Sequence, residues 1–245
     1  SKWYTFATFN ANAQFEGPAT MNLVLPNGSL RSYRGALRSA VPKAGSTTRD
    51  TINVLSLEDY LRGVVPREMP ASWSLEALKA QSVAARTYAA RYLGSTKHFD
   101  ICDTTSCQVY GGFAAEAAKS NQAIDGTKGK ILTHGGKPAF TQFSSSSGGY
   151  TNKGSFSYLS AVSDPWDSWS GNKNYSWTIK VSAKTIAAKY PSVGTLRTLT
   201  VTKRNGLGQS GGRVLSMTIR GSKGSKTITG VDARRALAFN WENRV

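Results

Sequence analysis

The sequence has no long apolar run and few acidic residues. No stretch reaches the roughly 18 consecutive apolar residues that a membrane-spanning helix needs, so we expect no transmembrane segment. Only 14 Asp and Glu residues accompany 31 Lys and Arg residues among 245, which gives a formal net charge of +17 and predicts a surface that attracts polyanions. The hydrophobic fraction of 39% is large enough for a folded core and argues against a disordered chain.

Signatures of nucleic-acid binding are also missing. The basic residues are scattered, with no run of five, no zinc-finger spacing and no basic helix that continues into heptads. We therefore expect no nucleic-acid partner, although the charge alone keeps nucleic acid as an alternative. Cell-wall polymers and acidic glycans are polyanions too, and they fit the charge without such motifs.

Neither an initiator methionine nor a signal-peptide pattern is present. The sequence starts at Ser1 and enters strand-like sequence almost at once. We therefore expect a trimmed mature domain, secreted or tethered to the membrane, whose targeting segment cannot be seen in this sequence.

Cysteine is scarce, with Cys102 and Cys107 as the two examples. Their close spacing permits a small disulfide loop in an oxidising compartment. It equally permits half of a metal site that a nearby histidine helps to complete. The cysteine spacing alone leaves both interpretations open.

An acidic residue, Glu68, lies in the short apolar segment at residues 64–70 (VVPREMP). Pro66 and Pro70 fix the backbone, and proline disfavours helix at the residue before it, so we expect Glu68 on a stiff, non-helical turn. Partial desolvation raises the pKa of a carboxylic acid, which suits a general acid near neutral pH. The apolar residues expected to desolvate it are Val64, Val65, Met69 and Trp73. The alternative is an ordinary surface glutamate in a loop.

The Ala-rich run at residues 74–92 predicts the longest helix of the chain. Ser74 can cap its start, Glu76 suits the positive end of the helix dipole, and Gly94 marks its end. The many alanines let other elements approach closely, as expected for a central buried helix. Seven-residue spacings put two pairs of side chains on shared faces, namely Lys79 with Arg86 and Gln81 with Tyr88. A solvated basic flank is the alternative interpretation.

The remaining pattern predicts strands at both ends of the chain and helices in the middle. Residues up to 55 alternate as strands do, with a hairpin about residues 26–28. Ser56 with Asp59 resembles a capping box, and so does Thr229 with Asp232. The predicted helices span residues 57–61 with a stop at Gly63, 114–124, 182–190 and 231–239, and further strands span 130–133, 139–143, 196–203, 212–220 and 226–229. We therefore predict an α+β fold with mixed or antiparallel sheet elements around the central Ala-rich helix. One domain over residues 1–245 is expected, with two lobes around a substrate cleft as a variant.

Two loop segments carry the residue types of a binding surface. Residues 143–151 (FSSSSGGYT) combine small hydroxyl side chains with paired glycines, which let backbone and ligand approach closely, although a flexible linker has the same composition. Residues 158–177 combine Trp166 and other aromatics with acids and amides. Such a mixture suits a sugar-binding cleft because ring faces pack on the C–H groups of sugars, whereas ordinary loop packing is the alternative.

Six motifs occur in one order along nearly the whole chain. They are VVPREMP, EALKAQSVAARTYA, ICDTTSCQVYGG, FSSSSGGYT, YLSAVSDPWD and an ending that runs from GRVLSMTIRG to TGVDARRAL. In this combination the chain resembles the stage II sporulation protein D family, also called SpoIID/LytB. The resemblance implies a SpoIID-like fold and a bacterial, extracytoplasmic protein of the cell wall.

The family resemblance implies a peptidoglycan lytic transglycosylase. Such an enzyme cleaves the MurNAc–GlcNAc bond of glycan strands that have lost their stem peptides and leaves a 1,6-anhydroMurNAc end. Glu68 matches the family's catalytic glutamate and would act as acid and then as base. The residues that we expect to bind substrate are Lys79, Gln81, Arg86, Tyr88, Gln108, Tyr110, Ser144, Ser145, Ser147, Gly148, Gly149 and Trp166.

The resemblance also bears on cofactors and partners. No cofactor is required, although zinc bound by cysteine and histidine is known in family members. Here His98, Cys102 and Cys107 supply three zinc ligands without an evident fourth, so outside the cytoplasm we expect a Cys102–Cys107 disulfide instead. The expected partner is peptidoglycan glycan on which an N-acetylmuramoyl-L-alanine amidase has acted, and the protein is expected to be a monomer. A non-catalytic, wall-binding amidase enhancer is the alternative function, and a sporulation or a vegetative role stays open.

Overall fold

The computed structural model describes residue 8 and residues 11–17 and 19–237. The chain divides into two compact units, a first that ends at Phe143 and a second that begins at Ser144. The expectation of one catalytic domain over residues 1–245 stays a prediction.

The first unit begins with five strands. They are Ala13–Phe15 (β1), Thr20–Val24 (β2), Leu30–Arg34 (β3), Ala36–Ala40 (β4) and Asp50–Val54 (β5). The strands β1, β4 and β5 form one antiparallel sheet in the order β1-β4-β5, while β2 and β3 form the predicted hairpin. Gly35 separates β3 from β4 with φ +68°, and a Cβ there would lie 2.3 Å from the Val54 carbonyl oxygen. Only glycine therefore fits this corner.

Three helices pack against one another to form the core of the first unit. They are Leu57–Glu68 (α1), Leu75–Ala90 (α2) and Ala118–Asp125 (α3). The predicted caps at the first two are confirmed, since Ser56 Oγ accepts a hydrogen bond from the Asp59 N–H at 3.1 Å and Ser74 Oγ from the Ala77 N–H at 3.2 Å. The fully buried core side chains include Leu61, Val64, Val65, Leu78, Ala85 and Ile124. The Ala-rich helix α2 is central to this core, as its composition predicts.

The first helix is longer than the sequence predicts. We expected it to stop at Gly63 and to leave Glu68 on a non-helical turn, and both expectations are wrong because α1 continues through Pro66 to Glu68. Proline lacks an N–H and costs helix stability in an interior position. Here that cost is offset because Val64 and Val65 are fully buried. The Met69 N–H donates to the Val65 carbonyl oxygen at 3.0 Å and ends the helix after Glu68.

Gly63 has a packing role inside α1. A Cβ at this position would lie 2.4 Å from Cε2 of Tyr110. The Gly63 carbonyl oxygen also accepts a hydrogen bond from the Gly111 N–H at 2.9 Å. Glycine therefore lets the segment around Tyr110 lie directly against α1, where we expected it to end the helix.

The third helix starts later than predicted. A 3₁₀ turn at Phe113–Ala115 and an extended Glu116 precede α3, so residues 114–117 are not part of it. Glu116 is held in place by Arg34, whose Nη2 donates to Oε2 at 2.9 Å. The predicted hairpin is present, but its strands are only Thr133–His134 (β6) and Lys137–Pro138 (β7), so the predicted strands at 130–133 and 139–143 are wrong apart from Thr133. Gly135 and Gly136 form its turn with positive φ angles.

The second unit packs two helices on a three-stranded sheet. Its elements are Ala183–Lys189 (α4), Leu196–Arg204 (β8), Val214–Gly221 (β9), Ser225–Thr229 (β10) and Gly230–Ala236 (α5). The sheet is antiparallel in the order β10-β9-β8. Its buried core consists of Ile186, Val193, Met217, Ile219, Ile228 and Ala233.

The predicted capping box at the last helix is wrong in its hydrogen bonding. Thr229 precedes α5, but its hydroxyl lies 3.4 Å from an Asp232 carboxylate oxygen and caps no backbone N–H. The predicted end of this helix at residue 239 lies outside the described residues.

Together the elements confirm the predicted α+β class. Every strand pair in the described part of the chain is antiparallel, so the mixed sheet that we considered is not found there. In the same residues, none of the helices combines the length and the apolar character that a membrane crossing requires.

Candidate active site and serine–glycine loop

Glu68 is the last residue of α1, and its carboxylate is half-buried. Its Oε1 accepts a hydrogen bond from the Val109 backbone N–H at 2.7 Å. Across residues 11–17 and 19–237, this is the hydrogen bond that the protein makes to the carboxylate. The N–H orients Oε1, and Oε2 accepts no hydrogen bond from the described residues.

The segment at residues 108–110 is anchored on both sides of Val109. Gln108 is 1% exposed, its Oε1 accepts from the Tyr60 hydroxyl at 3.2 Å, and its Nε2 donates to the Ala85 carbonyl oxygen at 3.3 Å. The Tyr110 hydroxyl donates to Oδ1 of Asn53 on β5 at 2.6 Å. These contacts hold the residues on both sides of Val109 in the core of the first unit.

The rings of Tyr60 and Tyr110 stack with their centroids 5.3 Å apart. Burial raises the pKa of the Tyr60 hydroxyl far above its usual range, and the nearby Glu68 carboxylate raises it further. Burial likewise raises the pKa of Tyr110. Both hydroxyls therefore stay protonated at neutral pH and act as hydrogen-bond donors.

The structure joins Cys102 and Cys107 by a disulfide. His98, the third zinc ligand that we considered, lies with Nε2 2.6 Å from an Asp50 carboxylate oxygen. Among the described residues, no group of three or more His, Cys, Asp and Glu side chains could hold a metal ion. Sulfurs that are bonded to each other cannot act as thiolate ligands, so the residues do not fit the zinc site in this state.

Arg86 of α2 is a buried structural cation. Its guanidinium is 1% exposed and donates to both carboxylate oxygens of Glu58 on α1, at 2.9 and 2.8 Å. It also donates to the carbonyl oxygens of Ile124 and Lys130, at 3.1 and 3.2 Å. Burial alone would raise the pKa of Glu58, but the hydrogen bonds from Arg86 lower it. The expected substrate contact of Arg86 is at odds with this burial and stays a prediction.

The other three candidate residues of α2 differ in exposure. Lys79 is one-third exposed and its Nζ lies 2.7 Å from a Glu76 carboxylate oxygen. Gln81 is buried, and its Nε2 has no hydrogen-bond partner within the described part of the protein. Tyr88 stacks on Phe140, and burial together with a hydrogen bond from Tyr92 raises its pKa to about 12. In the described residues none of these side chains makes a hydrogen bond or ion pair with Glu68.

The second unit contains the serine–glycine loop, residues 144–149, which folds around the Asp167 carboxylate. Asp167 accepts from the Ser146 hydroxyl at 2.9 Å, from the Gly149 N–H at 2.9 Å and from the Ser147 N–H at 3.2 Å. Asn172 adds a fourth hydrogen bond at 2.9 Å. Burial would raise the pKa of Asp167, but these hydrogen bonds lower it. The loop is therefore a structured turn, and the flexible-linker interpretation is wrong.

The hydroxyl groups of this loop already have protein partners. Ser144 donates to the Ser146 carbonyl oxygen at 3.1 Å, Ser145 accepts from Asn174 at 3.2 Å, and Ser147 donates to Asp164 at 2.9 Å. Gly148 and Gly149 have positive φ angles that the turn requires. Trp166 is 79% exposed. Substrate binding by Ser144, Ser145, Ser147, Gly148, Gly149 and Trp166 stays a prediction.

Sequence reasoning missed several residues that organise both sites. Tyr60 and Asn53 anchor the 108–110 segment, and Asp167 and Asn172 hold the serine–glycine loop. Their signals were weak because each partner lies in a distant part of the sequence. Asp167 and Asn172 lie in the segment at residues 158–177, which is a candidate binding segment by its composition.

Comparison with known proteins identifies the segment that contains Glu68. Residues 45–134 match the SpoIID family model, described as stage II sporulation protein. Over 135 residues, 53% of this chain, the sequence is 44% identical to the amidase enhancer of Bacillus subtilis (strain 168), of which it covers 18%. It is 35% identical over 144 residues to stage II sporulation protein D of Bacillus amyloliquefaciens, of which it covers 42%, and 34% identical to the Bacillus subtilis (strain 168) protein of that name. The chain thus spans less than half the length of each of these curated relatives. Residues 45–134 of the chain are therefore similar to the SpoIID family.

Proposed function

We propose that the protein is a peptidoglycan lytic transglycosylase with Glu68 as its acid and base. The observation that supports this most directly is the carboxylate itself, oriented by the Val109 N–H at 2.7 Å while Oε2 stays available. The SpoIID family match over the same residues supports a cell-wall role. The proposed location is extracytoplasmic, at the bacterial cell wall.

The proposed reaction needs one protein carboxyl group. Ordinary glycosidases use two carboxylates, one of which acts as nucleophile or activates water. In the proposed reaction the C6 hydroxyl of the muramic acid attacks its own anomeric carbon as the glycosidic bond breaks. Glu68 gives its proton to the departing oxygen and then takes the C6 hydroxyl proton as the 1,6-anhydro ring closes. Tyr60 and Tyr110 stay protonated, so neither competes as the base.

The charge of the chain fits a glycan that has lost its peptides. Removal of the stem peptide by an amidase leaves a lactyl carboxylate on each muramic acid, so the denuded strand is a regular polyanion. A protein with formal charge +17 favours such a strand over one that carries peptides. Lys79, which is one-third exposed and paired with Glu76, is the cation of α2 that we propose for this contact. We propose a monomer that acts after the amidase.

The test is mass spectrometry of the products from intact and from amidase-treated peptidoglycan. Wild-type protein should release anhydro-muramyl products from the amidase-treated strands. Glu68→Gln should lose them, by roughly a thousandfold, because the amide cannot donate or accept the catalytic proton. Glu16→Gln, which removes an exposed carboxylate of the first unit that contacts Gln14, is the matched control and should keep wild-type activity.

A non-catalytic amidase enhancer is the second candidate, favoured by the 44% identical relative of that name. This function requires the fold and the charge but no proton transfer. Stimulation of a purified amidase by Glu68→Gln at the wild-type level, with no anhydro products from either protein, would favour the enhancer over the enzyme.

A further inference from the structure

The Cys102–Cys107 disulfide closes a short loop immediately before the segment that orients Glu68. Cys107 stands two residues before Val109, whose N–H holds the Glu68 carboxylate. Within the loop, the Cys107 N–H donates to the Thr104 carbonyl oxygen at 2.9 Å. Beyond it, the Tyr110 N–H donates back to the Asp103 carbonyl oxygen at 3.1 Å. The chain on both sides of Val109 is thus tied to this small ring.

The remaining anchors of this segment come from the core of the first unit. Gln108 is held by Tyr60 and by the backbone of α2, and Tyr110 is held by Asn53 and lies against Gly63. These anchors fix the depth of the segment. They leave the distance between the Val109 N–H and the Glu68 carboxylate to be set by the disulfide ring. Residues 103–106 of that ring are exposed and have no core side chain of their own.

We propose that the disulfide is a positioning device for Glu68, with Cys102 and Cys107 as positioning residues. The bond keeps the Val109 N–H at hydrogen-bond distance from Oε1, so that Oε2 points at the glycosidic oxygen. Its reduction lowers the turnover number and leaves glycan binding unchanged. This inference rests on the proposed function, since it assigns a partner to the proposed catalytic acid.

The physical reason is the freedom that the ring removes. Closing a loop of this size restricts its backbone, and an opened loop of exposed residues regains many conformations. The anchors of Gln108 and Tyr110 keep the fold intact after reduction. A displacement of about 1 Å in a catalytic arrangement is enough to lower a rate roughly a hundredfold.

The first test compares kcat and KM on amidase-treated glycan for oxidised and reduced protein. Dithiothreitol reduces the disulfide to two thiols and is itself oxidised to its cyclic disulfide. Since the chain has two cysteines, any effect of the reductant on the protein acts through this bond. We expect kcat to fall roughly tenfold to a hundredfold, KM to stay within about twofold, and reoxidation to restore kcat.

The double variant Cys102→Ser/Cys107→Ser is the matched control. It should show the low kcat of the reduced protein and no response to dithiothreitol. An unchanged kcat after reduction would overturn the inference. So would a loss of kcat that comes together with loss of glycan binding or of the folded circular dichroism spectrum, because the disulfide would then support the whole unit.

Hydrogen exchange of the Val109 amide gives a readout that does not depend on activity. Reduction should speed its exchange at least about tenfold, while the amides of Leu61 and Val65 in α1 keep their protection. If the oxidised protein cleaves no glycan, the proposed function fails, and this measurement still reports on the positioning. If Val109 exchanges at the same rate in both redox states, the positioning inference is wrong even for an active enzyme.

Discussion

Each unit contains a carboxylate that accepts hydrogen bonds from backbone N–H groups. The two carboxylates differ in how many hydrogen bonds they accept. Among the residues that the structure describes, the half-buried Glu68 accepts one hydrogen bond, from the Val109 N–H. Asp167 is buried and accepts from Ser146, Ser147, Gly149 and Asn172. A carboxylate with all of its acceptor positions filled is a structural anchor, whereas one with an open oxygen can exchange a proton with a ligand.

The difference in hydrogen bonding also distinguishes the structural role of Asp167 from the proposed catalytic role of Glu68. The hydrogen bonds of Asp167 lower its pKa, so it stays ionised and holds the serine–glycine loop. Glu68 lies in the segment that matches the SpoIID family, and Asp167 lies outside residues 45–134. The comparison therefore supports the proposed proton transfer at Glu68 and gives Asp167 a structural role in the serine–glycine loop.

The largest effect that tests this comparison is expected from Glu68→Asp. The change keeps the carboxylate and shortens its side chain by one methylene group, which moves it away from the Val109 N–H. We expect kcat on amidase-treated glycan to fall roughly a hundredfold with no change in melting temperature. Glu76→Asp is the matched control and should leave both unchanged. Wild-type kcat in Glu68→Asp would mean that the position of this carboxylate does not matter.

A smaller effect is expected from Asp167→Asn. The amide replaces one acceptor oxygen with a donor that faces the N–H groups of Ser147 and Gly149. We expect the free energy of unfolding of the second unit to fall by about 1–3 kcal/mol in urea titrations. Asp164→Asn, which disturbs one hydroxyl contact from Ser147, should cost less than Asp167→Asn. Equal losses would remove the distinction that we draw for Asp167.

The same variant gives a pH test. The pKa of Asp167 is lower in the folded protein, so its contribution to stability is fully present above the unfolded value of about 3.9. The contribution is lost as the pH falls through the lower folded value. The gap in stability between wild type and Asp167→Asn should therefore be constant near pH 7 and shrink below about pH 4. A gap that grows on acidification would contradict the lowered pKa.

The smallest effect is expected from Lys79→Ala. This variant tests whether a cation of the first unit contributes to binding of the anionic glycan. An exposed cation contributes little, on the order of 0.2–1 kcal/mol, so KM for denuded glycan should rise about two- to fourfold and kcat should not change. The effect should fade in high salt. Lys97→Ala removes another exposed lysine and should have no effect on KM. A rise in KM of the same size in both variants would mean that only the overall charge matters.

Local signals predicted much of the fold. The caps at Ser56 and Ser74 and the hairpin turn at Gly135 and Gly136 depend on neighbours within a few residues, so their motifs suffice. The predicted end of α1 before Gly63 was wrong because the burial of Val64 and Val65 outweighs the helix-breaking preferences of Gly63 and Pro66. A local sequence pattern does not show how strongly burial in the folded core stabilises these residues.

The candidate site was predictable only in part, for the same reason. The motif alone makes Glu68 a candidate, but its donor Val109 is 41 positions away in sequence. Arg86 was expected on a binding face because its partner Glu58 cannot be read from the helix that carries it. The serine–glycine loop was recognised from composition, while its organising Asp167 follows about 20 residues later.

Gly63 sets a limit on how this protein can be engineered. Replacing a helical glycine by alanine normally gains up to about 1 kcal/mol, which makes Gly63 in the middle of α1 an obvious choice for stabilisation. Its Cβ would lie 2.4 Å from the Tyr110 ring and 3.1 Å from the Gly112 carbonyl oxygen, so ring and backbone would both have to move. Any thermostable variant of this chain therefore has to gain its stability elsewhere, since Gly63 is where the helix of Glu68 and the segment that orients it touch.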